Sequence, residues 1–230
     1  MRPTLVAWGA FRIPSYLAML YLGLLAGTYA TYAAGRAEGL SGERFAWVIV
    51  LLLVPALLGA RLAFVATRWS VYRLQPRQIL PHGSEGGAVA YGALLSVPVS
   101  VPLLVALGLP VASFWDAGAI GFLAAIGCLR IGCFLNGCCC GLVAGRIPTQ
   151  LLEAGLAAML LGCAILAVGK MPFAGALFVS TLAAYAAGRF CIDFARETPR
   201  KLGRLTVAQV WSAGFVLLSV TLLTIATWMG

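Results

Sequence analysis

The chain is 230 residues long, 62% hydrophobic and only 10% charged, with a formal net charge of +9. That balance excludes a water-soluble globular fold and leaves a polytopic membrane protein. Nucleic-acid binding is excluded too, because no compact basic domain with interleaved aromatics carries the excess charge, which instead suits attraction to anionic lipid headgroups.

At about 20 apolar residues per crossing, seven spans are expected near residues 13–34, 46–66, 88–108, 113–134, 149–169, 172–192 and 205–228. Segments so long and so continuously apolar are helices rather than barrel strands, since lipid-facing backbone must satisfy its own hydrogen bonds. The expected fold is an all-α integral membrane bundle of about seven transmembrane helices in one domain, and the 27 glycines suit its close packing.

Met1 to Arg12 holds two arginines and lacks the apolar core of a cleavable leader, so the first span is expected to act as the anchor. Residues 67–87, with Arg68, Arg73, Arg77, His82 and Glu85, read as an interfacial arm or a solvated loop. Leu40 to Arg44 and Leu109 to Ser113 are short turns. Arg2, Arg12, Arg68, Arg73, Arg77, Arg146, Arg196, Arg200, Lys201 and Arg204 fall on one side of the expected membrane, against Arg36, Arg44 and Lys170 on the other. By the positive-inside rule the amino terminus is then cytoplasmic.

The chemistry concentrates in the run RIGCFLNGCCCG, Arg130 to Gly141. An arginine inside an apolar span is expensive, about 2.5–3.5 kcal/mol at a bilayer centre on insertion scales, and so marks a functional site unless it snorkels to the headgroups. Arg61, Arg130, Arg189 and Arg196 all stand in or at the ends of spans. Their planar forks grip phosphate oxygens in two places, as a phospholipid headgroup pocket requires. The competing role is pairing with the few nearby acids, Glu85, Asp116, Glu153, Asp193 and Glu197. In GRFCIDFARE, Arg189 and Asp193 are four apart and Asp193 and Arg196 three apart, so one helix face carries arginine, acid, arginine. A salt-bridge ladder and a phosphate clamp with an orienting acid fit that face equally.

The seven cysteines are Cys128, Cys133, Cys138, Cys139, Cys140, Cys163 and Cys191. Their central cluster lacks the paired spacing and nearby histidine of structural zinc. No metal and no cofactor is expected. Buried apolar cysteines, a disulfide, or a thiol activated by Arg130 are the alternatives.

These residues together resemble the prolipoprotein diacylglyceryl transferase family. The family's run G-R-[IL]-G-N-F-[IL]-N-G-E-x-x-G is similar to Leu129-Arg130-Ile131-Gly132-Cys133-Phe134-Leu135-Asn136-Gly137-Cys138-Cys139-Cys140-Gly141. Further matches are Tyr16, Gly59 to Leu62, Glu85-Gly86-Gly87, Pro148 to Leu151 with Glu153, then Tyr185, Gly188 to Phe190, Asp193, Phe194 and Arg196, and lastly Gln209 and Ser212. The resemblance implies seven spans in the bacterial cytoplasmic membrane. It also implies transfer of the diacylglyceryl group of phosphatidylglycerol to the lipobox cysteine of a secreted preprolipoprotein. Arg130 and Arg189 would hold the phosphate, Asn136 would orient the glycerol, Tyr16 and Tyr185 would donate hydroxyls and Asp193 would hold an arginine. Arg61 and Arg196 would line the same substrate pocket.

Three departures accompany the resemblance. The family's His-Gly-Gly-Leu is matched by Tyr91-Gly92-Ala93-Leu94, so Tyr91 replaces the histidine base. Cys133 and Cys138 replace an asparagine and a glutamate, exchanging two polar groups for weak thiol donors. The family also places the amino terminus outside the cytoplasm, against the charge count. Three readings follow: a phospholipid-dependent transferase, which retention of both arginines favours; a catalytically silent phospholipid-binding protein; and a thiol or metal protein built on Cys133 and Cys138 to Cys140.

Overall fold

A computed structural model describes the chain apart from residues 1–3, 9–10, 41, 68, 74–89, 138–141, 144–146, 195–200, 203–204 and 230. It is an all-α membrane protein. The helices are α1 Ser15–Ala37, α2 Glu43–Thr67, the single turn α3 Trp69–Tyr72, α4 Ser96–Ala106, α5 Val111–Asn136, α6 Thr149–Ala167, α7 Ala176–Phe194 and α8 Val207–Met229. Among the described residues five apolar helices are long enough to cross a membrane, namely α1, α2 (as Glu43–Ala66), α5, α6 and α7, and Ala93–Ala106 and Gln209–Ile225 are shorter apolar helices. Large apolar side chains such as Leu25, Tyr29, Leu57, Leu166 and Leu217 point outward, as lipid-facing surface requires.

The described chain forms two compact units, Met1–Gly39 with Ala112–Gly230, and Leu40–Val111. In the smaller unit α2 buries Phe45, Val48, Ile49 and Leu52, a stripe at helical spacing. The apolar pattern predicts one continuous span over 88–108. The structure has instead a 3₁₀ helix, Ala90–Leu95, followed by the short α4. Pro102 inside α4 withholds a backbone donor, and the Ser96 and Ser100 hydroxyls donate to the Ala93 and Val97 carbonyls at 2.7 and 2.6 Å, tightening the turns. Most of the arm expected over 67–87 lies outside the described residues.

The larger unit is built on antiparallel neighbours. On α1, Gly23 and Gly27 lie so close to α5 that an added Cβ would meet the Ala125 and Gly121 carbonyl oxygens at 2.9 and 2.8 Å. Small residues at four-residue spacing let the two backbones approach, the usual basis of helix contact within lipid. Gly132 extends the seam, for a Cβ there would meet that of Met19 at 2.7 Å. This glycine of the arginine motif therefore serves packing. Gly137, with φ 69°, ends α5 in the left-handed region that L side chains avoid.

Three two-stranded antiparallel hairpins, not expected from the sequence, lead into helices: β1 Thr4–Trp8 with β2 Phe11–Pro14 before α1, β3 Leu142–Val143 with β4 Ile147–Pro148 before α6, and β5 Lys201–Leu202 with β6 Leu205–Thr206 before α8. Because α1 and α5 run antiparallel, and the last two hairpins join α5 to α6 and α7 to α8, all three stand at one end of this unit.

Candidate functional site

Just inside the hairpin-bearing end, three helices each present one charged side chain. Arg130 lies six residues before the end of α5, Glu153 on the second turn of α6, and Arg189 five residues before the end of α7. At 1.5 Å per residue all three are about 6–9 Å below the helix ends, nearer one end of the unit than its middle. Arg130 Nε contacts Glu153 Oε2 at 2.5 Å, and Arg189 Nη1 contacts the other oxygen, Oε1. The carboxylate is 3% exposed and the guanidinium-bearing chains 13% and 12%. Each oxygen of one buried acid thus faces a different arginine, holding a fork from α5 and a fork from α7 in fixed relation.

Two buried hydroxyls lie one helical turn from members of this triad. Tyr185, one turn before Arg189 on α7, is 1% exposed, and its ring meets Phe122 of α5 edge-on at 5.7 Å. Thr149, one turn before Glu153 on α6, is also 1% exposed. The Tyr185 hydroxyl and Thr149 Oγ1 are both buried and have no hydrogen-bond partner among the described residues. Leaving such a group unsatisfied costs about 1–3 kcal/mol, which a polar ligand accepting from it would recover. Gln150, 3% exposed, completes the polar start of α6.

Asp193, one turn beyond Arg189, is engaged elsewhere. It accepts a short hydrogen bond from the Thr206 hydroxyl. Thr206 caps α8 reciprocally: Gln209 N–H donates to Thr206 Oγ1 at 3.0 Å and Thr206 N–H donates to Gln209 Oε1 at 2.9 Å. Spacing along α7 alone suggests a pair between Arg189 and Asp193. In the structure Arg189 pairs across to α6 instead, because Glu153 is presented to it from the facing helix.

The remaining expected site residues are distributed as follows. Cys133 is buried one turn after Arg130, Asn136 is the half-buried last residue of α5, and Tyr16 is the half-buried second residue of α1. All belong to the larger unit. Arg61 belongs to the smaller one, its guanidinium lying over the Phe64 and Tyr72 rings at 5.4 and 5.7 Å from their centroids. Tyr91 falls in the 3₁₀ helix of that unit, and its side chain lies outside the described residues, as do Arg196 and Cys138. Cys139 and Cys140 also fall outside them, and among the described residues no three His, Cys, Asp or Glu side chains gather as metal ligands.

Sequence reasoning offers Glu153 as one of five acids near the arginines and as one of the family matches, but not as the residue that joins Arg130 to Arg189. The available signal was its four-residue spacing from Thr149 in an otherwise apolar helix, which puts an acid and a hydroxyl on one face.

Residues 3–225 match the family described as prolipoprotein diacylglyceryl transferase. The chain belongs to that family. Among curated members it is 27% identical to phosphatidylglycerol–prolipoprotein diacylglyceryl transferase 2 of Clostridium perfringens (strain 13 / Type A), covering 92% of this chain and 90% of the relative. It is 27% identical to the phosphatidylglycerol–prolipoprotein diacylglyceryl transferase of Bacillus mycoides (strain KBAB4), over 98% of this chain and 92% of that protein. Identity to the protein of the same name from Bacillus anthracis (strain CDC 684 / NRRL 3495) is 28% over the same shares. This family member therefore spans its relatives nearly end to end.

Proposed function

We propose that the protein transfers the diacylglyceryl group of phosphatidylglycerol to the lipobox cysteine thiol of a preprolipoprotein in the bacterial cytoplasmic membrane. The observation that carries this reading is the convergence of Arg130 and Arg189 on one buried carboxylate, with the hydroxyls of Tyr185 and Thr149, unpartnered among the described residues, one helical turn away. In the reaction the glyceryl carbon–oxygen bond to phosphate breaks and a carbon–sulfur bond forms. The thiol gives up its proton and glycerol phosphate departs. Negative charge grows on the phosphate oxygens as that bond breaks. Guanidinium donors already fixed by Glu153, in a site largely closed to water, then stabilise the transition state more than the ground state.

Tyr185 and Thr149 donate to the headgroup, and Asn136 orients the glycerol. Tyr16 and Cys133, in the same unit as the triad, contribute to the substrate site. Asp193 acts indirectly, fixing the start of α8 through Thr206. Tyr91 occupies the position of the family's histidine, and as proton acceptor it needs cationic neighbours to bring a phenol into range.

The replacements at Tyr91 and Cys138 favour a second reading, a member that binds phospholipid without turning it over. One experiment separates the two. Purified protein is incubated with phosphatidylglycerol vesicles and a lipobox peptide, the Cys-to-Ser peptide serving as control, and peptide mass is followed. A diacylglyceryl mass gain on the thiol peptide alone establishes the transferase. Binding of phosphatidylglycerol without mass gain establishes the silent protein.

A further inference from the structure

The reach of one glutamate to arginines on two other helices is set one turn below the triad. At about 100° per residue, Leu156 lies about 60° to one side of Glu153 on α6 and Ala157 about 40° to the other. Each meets a glycine. Leu156 is seated on Gly188 of α7, the residue immediately before Arg189, where an added Cβ would meet the two leucine methyls at 2.6 and 2.8 Å and the branch carbon Cγ at 3.2 Å. Ala157, fully buried, faces Gly127 of α5, three residues before Arg130, where an added Cβ would meet only the Ala157 Cβ among the described residues, at 3.8 Å. The α5 side thus has room for a methyl group and the α7 side has none.

We infer that Gly188 is a positioning residue for transfer, its bare backbone seating Leu156 and holding α7 close enough to α6 for one glutamate to fix both forks. Helix axes pack about 8–10 Å apart according to the side chains at the contact. A small side chain at this position of α7 displaces Leu156 about χ1, because turning the methyls about χ2 leaves Cγ where it is. A large one parts the axes. Arg189 then draws away from Glu153, while Arg130 stays with α5, which its own glycine seam holds to α1. A misplacement of about 1 Å caused away from the reacting atoms can cost about 100-fold in rate. This role rests on the proposed transfer, in which both forks act on one phosphate, and it needs no contact between Gly188 and substrate.

The test measures transfer to the lipobox peptide per folded molecule, with kcat and the KM for phosphatidylglycerol determined separately. Gly188→Leu is expected to lower kcat by about 100-fold and to leave KM nearly unchanged, since the forks act chiefly in the transition state. Adding Leu156→Ala to Gly188→Leu returns the space with the volumes exchanged, and is expected to recover about tenfold or more of the lost kcat. A helix pair that the first substitution had merely loosened would be made worse by the second. Gly127→Ala, on the side with room, is expected to turn over like the natural protein. If Gly188→Leu does not fold, the smaller loss expected of Gly188→Ala and its relief by Leu156→Ala carry the test. Normal kcat in the Gly188 variant, no recovery on adding Leu156→Ala, or an equal loss in Gly127→Ala overturns the role of Gly188 and leaves the triad standing. No turnover by the natural protein overturns the transferase reading itself, and the role of Gly188 with it.

Discussion

Asp116 and Glu153 are both carboxylates, both 3% exposed and both inside apolar helices of the same unit, but their oxygens go to different kinds of partner. Asp116 Oδ2 accepts the Gly175 N–H at 2.6 Å and Oδ1 accepts the Phe178 N–H at 2.8 Å. Those are donors at the start of α7 that have no partner within their own helix, so Asp116 caps α7 from α5. Gly175, with φ 94°, supplies the left-handed turn that aims its N–H at the acid. Backbone donors cannot leave, and Asp116 is committed to the fold. Glu153 faces two side-chain cations, Arg130 and Arg189, which can shift where backbone groups cannot. In this bundle the kind of partner, not the depth of burial, separates a structural acid from a functional one.

The strongest way to break that contrast is to remove the arginines. Arg130→Ala and Arg189→Ala are each expected to lower peptide modification by at least about 100-fold, the scale of losing a charged donor at a developing oxyanion, in protein that still elutes as a folded monodisperse species. Near-normal turnover in either variant ends the assignment of the triad to catalysis.

Asp116→Ala is expected to do the reverse. It strands the two N–H groups that begin α7, at a cost of about 1–3 kcal/mol, lowering the thermal midpoint while transfer per folded molecule stays close to normal. An intact midpoint with lost turnover would place Asp116 on the functional side of the comparison.

Thr206→Val removes both the α8 cap and the donor to Asp193. A loss of about 1 kcal/mol is expected, with faster hydrogen exchange confined to the start of α8. Thr206→Ser should restore both properties.

The smallest effect concerns Glu38, just past the end of α1. Burial, followed by the charge of Asp116, pushes its carboxyl above the ordinary glutamate range. A raised value means the fold favours the protonated form. That contribution is whole below the ordinary range and is lost as pH rises through the folded-state value. Glu38→Gln should therefore melt slightly higher than the natural protein at pH 7.5 and equally at pH 4, as differential scanning fluorimetry can determine.

How much of this was legible in the sequence follows from what each feature depends on. The helices were, because an apolar run long enough to cross lipid has no other stable form, and so were Arg130 and Arg189, since a guanidinium in such a run needs a reason. The broken start of the third apolar segment was written in Pro98 and Pro102 but outweighed by its hydropathy. The hairpins were hidden because strands such as Leu142–Val143 and Lys201–Leu202 are two residues long and carry no alternating pattern. Glu153 and Asp116 were visible as acids, but which would cap a helix and which would bridge arginines is decided by neighbours far along the chain. The arginine–acid–arginine face of α7 fitted a ladder and a clamp equally, and tertiary packing is what brings Glu153 to Arg189.

That Arg130 and Arg189 together hold the phosphate of the lipid donor is tested most directly by an experimental structure of the protein with phosphatidylglycerol bound. The expected result is phosphate oxygens within about 2.7–2.9 Å of both guanidiniums, with the Tyr185 and Thr149 hydroxyls donating to the headgroup and Glu153 still contacting both arginines. A headgroup seated elsewhere, with the triad closed on itself and the two hydroxyls still unpartnered, would contradict it.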